Sequence, residues 1–182
     1  SVSVLVFIVH LPGIRSPIAI SVLSDCMSRA SEAASVGCER AIAAMRTSSD
    51  KKIKKAWAHA AGVKLWFDCG THFRSLTFLQ YCLVELVKLE RRAAVEYSLF
   101  EVKHGKGACD RMISILKGYV KEYTTHHTVK GLDDLQSCLA AKHAQTNENR
   151  QQQQQPPSTL LITKYSAQDV GSRSLLSLKL KH

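Results

Sequence analysis

The chain has 182 residues, of which 45% are hydrophobic and 22% are charged, and its formal net charge is +10. This composition excludes a wholly disordered chain, because enough apolar side chains are present to bury a core. The positive charge favours an anionic partner, and nucleic acid is the first expectation. No apolar run reaches the length of a membrane span, so we expect no membrane partner.

The six cysteines are widely spaced and form no C-x-x-C pair. A chain of this size can bury a core without disulfides, so we expect reduced thiols in an intracellular protein. If the protein acts on DNA, that location would be the nucleus. The chain does not begin with Met, and we therefore expect a fragment whose start lies upstream.

Strands and helices alternate in the residue pattern, with runs of Val and Ile for strands and apolar stripes for helices. A Pro–Gly turn separates the first two strands and predicts a hairpin. In chain order the predicted elements are strand 2–10, strand 18–23, a helix ending near Arg46, a short helix 53–60, strand 63–67, helix 72–90, strand 95–102, a helix from about Asp110 to the 124–131 turn, and a short helix at 132–145.

Composition divides the chain into three segments. Residues 1–142 carry the predicted elements and form the expected domain. Residues 143–159 are rich in Asn, Gln and Pro, a composition that buries little apolar surface and predicts a disordered linker. Residues 160–182 could add a strand or an amphipathic segment, and their structure is left open.

Two aspartates stand at the ends of neighbouring predicted elements. Asp68 ends strand 63–67, and Asp110 begins the helix that follows strand 95–102. If those strands are neighbours, both carboxylates come to one edge of the sheet, where Mg²⁺ or Mn²⁺ would bind them together with substrate phosphates. The alternative is structural: Asp68 only ends a strand, and Asp110 only caps a helix, as Asp commonly does.

The same region carries candidate zinc ligands. Cys69 and His72 follow one strand, and His104 and Cys109 follow the next, so the four side chains could hold Zn²⁺ tetrahedrally. Alternatively, they pack and form hydrogen bonds at helix starts. A third interpretation makes Cys109 a nucleophile activated by the helix N-terminus and His104, although no pattern supplies a third, orienting group.

Basic residues cluster in two places that bear on DNA binding. Three of them flank the acidic residues and would contact phosphate groups: Lys103, Lys106 and Arg111. Four follow one another on the short helix, where they are either DNA contacts or a solvated face: Lys51, Lys52, Lys54 and Lys55. Both tryptophans, Trp57 and Trp66, are predicted to lie in the core.

The strings LWFDCGTHFRS and FEVKHGKGACDRMIS resemble a block of transposon-derived proteins that have a DDE-type, RNase H-like domain. The resemblance covers about residues 60–125, and its most specific part is H-G-K-G-x-C-D at 104–110. It implies an α/β fold with an RNase H-like mixed sheet flanked by helices, whose first strand would lie before residue 1. It also implies Asp68 and Asp110 as the second and third catalytic acids, with Lys106 on phosphate.

Two departures from the family pattern stand out. Cys69 separates Asp68 from Gly70, and Arg111 begins the stretch where small glycines are expected. The resemblance implies metal-dependent DNA strand transfer or phosphodiester cleavage, in a fragment or an inactive relic. Whether the chain is an enzyme depends on an upstream acid. The alternative function is a non-catalytic domain, either a basic nucleic-acid-binding one or a zinc-braced interaction domain.

Overall fold

A computed structural model describes residues 2–26, 31–68, 70–90, 94–99 and 107–170 of the chain. The elements are β1 (Ser3–Val9), β2 (Ile18–Ser24), α1 (Ser31–Arg46), α2 (Lys51–His59), β3 (Gly62–Phe67), α3 (Leu76–Gln80), a π-helical turn (Tyr81–Glu85), α4 (Leu86–Glu90), β4 (Ala94–Leu99), α5 (Ala108–Thr124), α6 (Leu132–Gln152) and β5 (Thr159–Tyr165). The mixed α/β class that the sequence predicts is confirmed.

The predicted hairpin is present at the start of the chain. β1 and β2 pair antiparallel, from Ser3 opposite Ser24 to Val9 opposite Ile18. In the connection, the Ile14 amide donates to the Leu11 carbonyl at 3.1 Å, and Gly13 has φ of 76°. Pro followed by a residue with positive φ is the sequence of a type II turn, and glycine adopts that φ without strain.

The C-terminal strand completes a mixed three-stranded sheet. β5 pairs parallel with β2, so that β2 lies between β1 and β5 and is buried along its whole length. Successive residues of a strand face opposite sides of a sheet. Val22 packs in the main core together with α1, whereas Leu23 packs in a second cluster with residues of α5 and α6. Helices therefore cover both faces of this sheet.

The segment 143–159 differs from the disordered linker that its composition predicts. α6 runs from Leu132 to Gln152, across the expected boundary at 142, and leads through a short connection into β5. Buried residues in its first half anchor the helix, and in its second half Asn147 binds both backbone groups of Ser158. Composition indicates only how much apolar surface a segment can bury. The second half of α6 and its connection to β5 are held mainly by hydrogen bonds between polar groups, which composition does not reveal.

The helix predicted over 72–90 begins later than expected. Residues 71–74 form a turn, and the side chain of Ser75 accepts the Phe78 amide as the cap of α3. The π-helical turn then interrupts the helix where Tyr81 and Cys82 are buried. β3 and β4 pair parallel in a second sheet, and in the described part of the chain neither strand is paired with β1, β2 or β5.

Candidate functional site

The parallel pairing of β3 and β4 brings their carboxyl ends to one edge. The register runs from Gly62 opposite Ala94 to Phe67 opposite Leu99. Asp68 is the first residue after β3, and Asp110 lies in the first turn of α5, which is the next described element after β4. The predicted neighbourhood of the two strands is thus present, and it places Asp68 at the shared edge. The position of Asp110 depends on α5, which packs against α6 and β1.

A tight turn holds the Asp68 carboxylate. Its Oδ1 accepts the Gly70 amide at 2.8 Å. A Cβ atom on Gly70 would lie 2.8 Å from that same oxygen and 2.8 Å from Cε1 of His72, so a side chain here would displace one or both groups. The absence of a side chain at Gly70 therefore lets the carboxylate and the imidazole of His72 approach each other across the turn.

Aromatic packing fixes this turn against the sheet. The rings of Phe67 and Phe73 stack with centroids 4.7 Å apart, on either side of the residues that form the turn. The hydroxyl of Tyr97, on β4, donates to the Phe73 carbonyl. Asp68 is consequently anchored to both strands of the parallel pair.

Asp110 acts as a helix-capping residue. Its Oδ2 accepts the amide of Gly107, the N-cap residue of α5, at 3.3 Å. A carboxylate in the first turn also interacts favourably with the helix dipole. The structural role that the sequence allows for Asp110 is therefore present, and it engages one of the two carboxylate oxygens.

The pKa of the Cys109 thiol is affected by the charges of both aspartates, so Asp68 and Asp110 both lie near its sulfur. Although the residue is exposed, partial burial of its sulfur raises the pKa of the thiol above 9.0, and the negative charges of Asp110 and Asp68 raise that pKa further. A backbone hydrogen bond from Ile8, on β1, opposes the change. The lowered thiol pKa that a helix N-terminus favours is opposed here, chiefly by burial of the sulfur.

Several predicted site residues lie outside the described residues. These are Cys69, Lys103, His104 and Lys106. Arg111 is exposed in the first turn of α5, next to Asp110. Among the residues that the structure does describe, no group of three or more His, Cys, Asp or Glu side chains is arranged to hold a metal ion.

The second basic cluster lies on α2, and its lysines do not form one equivalent face. Asp50 caps the helix by accepting the Lys52 amide at 2.8 Å, and Ile53 and Trp57 are buried against the core. Two of the four lysines, Lys52 and Lys55, border a groove beside the β1–β2 turn.

Trp66 is the residue at this edge that sequence reasoning missed. Trp57 is buried, as predicted, but Trp66 is 59% exposed, so its predicted core position is wrong. β3 alternates, with Val63, Leu65 and Phe67 inward and Lys64 and Trp66 outward. That alternation was readable in the sequence and places Trp66 two residues before Asp68, on the strand face toward solvent.

Comparison with known proteins identifies no relative: no protein-family model matches the chain, and no curated protein or solved structure is significantly similar to it. None of the described helices is both long and apolar enough to span a lipid bilayer. Function must therefore be argued from the acidic edge and the basic surfaces themselves.

Proposed function

We propose that the edge formed by Asp68 and Asp110 is a divalent-metal site for phosphodiester cleavage or strand transfer on DNA, in a transposase-like core. The observation that carries the proposal is that the charges of Asp110, on α5, and of Asp68, at the carboxyl end of the β3–β4 pair, both act on the Cys109 thiol. Buried carboxylates would point to a structural role, whereas Asp68 and Asp110 are both exposed and therefore accessible to a substrate.

Two carboxylates are a suitable set of protein ligands for Mg²⁺ or Mn²⁺. Mg²⁺ is usually bound by one or two carboxylates, with water and substrate phosphates filling the remaining positions. Asp68 uses Oδ1 for the Gly70 amide and Asp110 uses Oδ2 for the Gly107 amide, so that each retains a second oxygen for a metal. A bound ion would activate the attacking water or hydroxyl and stabilise the leaving oxygen.

An RNase H-like arrangement is part of the same proposal. In that fold one mixed sheet would carry the hairpin and the parallel pair together, joined by a further strand. β1 is the edge strand of one sheet and β3 belongs to a sheet of two, so a strand between them would join the sheets. The pairing of β5 with β2 is an addition to that arrangement.

Nucleic acid is the substrate that fits the charges. The chain has a net charge of +10, and the exposed Arg111 neighbours Asp110, where it would contact a phosphate beside the metal. Lys103 and Lys106 stay proposed phosphate contacts on the sequence resemblance. A DNA substrate would place the protein in the nucleus.

Metal binding tests the proposal before activity does. Mn²⁺ titrations followed by electron paramagnetic resonance should show weaker binding in Asp68→Asn and Asp110→Asn. The exposed Glu148, on α6, provides a matched control as Glu148→Gln, which should bind like the parent. Metal-dependent nicking of supercoiled DNA should fall in the same two variants. If both bind Mn²⁺ as the parent does, the metal site is refuted.

A non-catalytic nucleic-acid-binding domain is the second candidate function. Binding through exposed basic residues such as Arg111 and the lysines of α2 requires no metal ion, and this observation favours the second candidate. DNA binding that persists in chelator, without nicking in Mg²⁺ or Mn²⁺, would support it. The zinc-braced alternative, with Cys69, His72, His104 and Cys109, predicts stoichiometric zinc in the purified protein, and its absence would refute that alternative.

A further inference from the structure

A groove lies between the β1–β2 turn and one face of α2, and its lining includes none of the residues of the acidic edge. Its volume is about 280 Å³. The turn contributes three residues, and the helix contributes two lysines, an alanine and a histidine: Pro12, Gly13, Ile14, Lys52, Lys55, Ala56 and His59. We propose that this groove binds the sugar–phosphate backbone of a nucleic-acid strand.

The orientation of α2 selects which lysines reach the groove. Ile53 and Trp57 are buried, at 1% and 5% exposure, and they fix the rotation of the helix about its axis. Residues 52, 55 and 59 are spaced at three and four positions, so they share one helix face. Lys54 projects from the opposite flank, because successive residues on a helix are separated by about 100°.

The charges on α2 are unfavourable for the isolated helix and favourable for an anion. No acidic residue lies in its first turn, where the positive end of the helix dipole disfavours lysine. Lys52 and Lys55, three residues apart, also repel each other. Within the described part of the chain no ion pair involves either lysine, and the cap residue Asp50 directs its Oδ1 to a backbone amide.

The groove combines two chemistries that a nucleic-acid strand presents together. Lysine ammonium groups bind phosphate oxygens without reading sequence. Ile14, Pro12 and Ala56 provide apolar contacts for the sugar. The turn is held by the Leu11–Ile14 hydrogen bond, and Nδ1 of His59 donates to the Lys55 carbonyl at 2.8 Å, which orients the ring at the end of the groove. Both walls are therefore preformed.

The inference does not rest on the proposed metal chemistry. The residues that line the groove belong to the β1–β2 turn and to α2, whereas Asp68 follows β3 and Asp110 lies on α5, so no residue is common to both sites. A protein that binds DNA through the groove without cutting it satisfies this inference. A binding experiment in chelator therefore tests the groove alone.

The test compares two double variants that remove the same charge from the same helix. Lys52→Gln/Lys55→Gln alters the groove, and Lys51→Gln/Lys54→Gln, at two lysines that do not line it, is the matched control. Binding of the full chain to a fluorescein-labelled DNA duplex is followed by anisotropy in chelator, over about 50–200 mM salt. The groove variant should lower the slope of log K against log salt by about 1.8, since each lost phosphate contact removes about 0.9.

Three outcomes decide the matter. A clearly larger loss of affinity and slope in the groove variant than in the control supports the groove. Equal losses in the two double variants would show that only the net charge of α2 matters and would overturn it. Displacement of the duplex by inorganic phosphate at low concentration, abolished in the groove variant, would reveal a small-anion site and would also overturn it. Thermal unfolding of each variant confirms that the fold is retained.

Discussion

The ring of Phe67, the last residue of β3, stacks on the ring of Phe73 with an interplanar angle of 23° and centroids 4.7 Å apart. Between these two residues lies the turn that carries Asp68, so the stack closes the turn as a clamp. Phe73 also packs edge-on against Phe78, from α3. The geometry of the acidic edge thus depends on the aromatic core immediately beneath it.

Replacing Phe73 should weaken both the fold and the edge. Phe73 is 8% exposed, and Phe73→Ala should lower the free energy of unfolding by about 3 kcal/mol through lost burial and the cavity left behind. Urea unfolding measures this change. Leu76→Ala, at a residue that is 84% exposed, is the control and should change stability by less than about 0.5 kcal/mol. Equal effects would contradict the clamp.

The connection from α6 to β5 should be a folded part of the domain. Asn147 donates from Nδ2 to the Ser158 carbonyl and accepts the Ser158 amide at Oδ1, both at 2.9 Å. Asn147→Ala leaves the half-buried Ser158 amide without a partner, while His143 still contacts the Ser158 carbonyl at 3.1 Å, and the change should cost about 1–3 kcal/mol. Asn149→Ala, at an exposed position of the same helix, has the same propensity change and should be nearly neutral. If residues 143–159 were disordered, the two variants would have the same free energy of unfolding.

His143 should make stability depend on pH. Burial lowers the pKa of its imidazole below 6.5, the charge of Arg150 lowers it too, and the hydrogen bond with the Ser158 carbonyl acts in the opposite direction. The unfolded chain therefore binds a proton more readily, so the free energy of unfolding should fall as the pH drops through 6.5. The fall should end once the pH lies below the pKa of the folded state.

Two variants isolate this contribution. His143→Gln should flatten the dependence of unfolding free energy on pH between about 7.5 and 5.5, as measured by urea unfolding. His126→Gln, at an exposed position, should retain the parent's dependence. A parent curve that rises as the pH is lowered, with no change in His143→Gln, would contradict the lowered pKa.

The described thiols should differ sharply in reactivity. Burial raises the pKa of Cys82 to about 12, and Cys26, Cys38 and Cys138 are buried as well. Cys109 is exposed, but its pKa lies above 9.0. Iodoacetamide should therefore label Cys109 before those four, with a rate that still increases with pH beyond 9.0.

Peptide mass spectrometry with the Cys109→Ser variant identifies the labelled site. The four buried thiols should become reactive only on unfolding. A labelling rate at Cys109 that levels off well below pH 9.0 would show a lowered thiol pKa and would revive the cysteine-nucleophile interpretation.

The two tryptophans should be distinguishable by fluorescence. Trp57 is 5% exposed and Trp66 is 59% exposed. Trp66→Phe should leave an emission from Trp57 that is shifted to shorter wavelength and is poorly quenched by iodide. In the parent, the quenchable fraction should come from Trp66. Equally quenchable emission in the parent and in Trp66→Phe would contradict the outward position of Trp66 on β3.

Local sequence signals predicted the elements whose causes are local. The turn at Pro12–Gly13, the end of α1 at Arg46 and the short helix α2 follow from backbone preferences and apolar spacing. The position of Asp68 at the carboxyl end of a parallel strand pair was also predictable, because neighbouring parallel strands end at the same edge. The extent of α6 could not be predicted in this way. It depends on the hydrogen bonds between Asn147 and Ser158, which cannot be inferred from composition.

The amino-acid sequence by itself determined the alternation of strands and helices, the net positive charge and the chemical identity of the candidate ligands. Only the tertiary structure decided how these were combined. It placed β5 beside β2, extended α6 to Gln152 and brought Lys52 and Lys55 of α2 to the groove beside the β1–β2 turn. The physical reason is that strand order and helix rotation are set by burial against distant residues, whereas periodicity and charge are properties of neighbours along the chain.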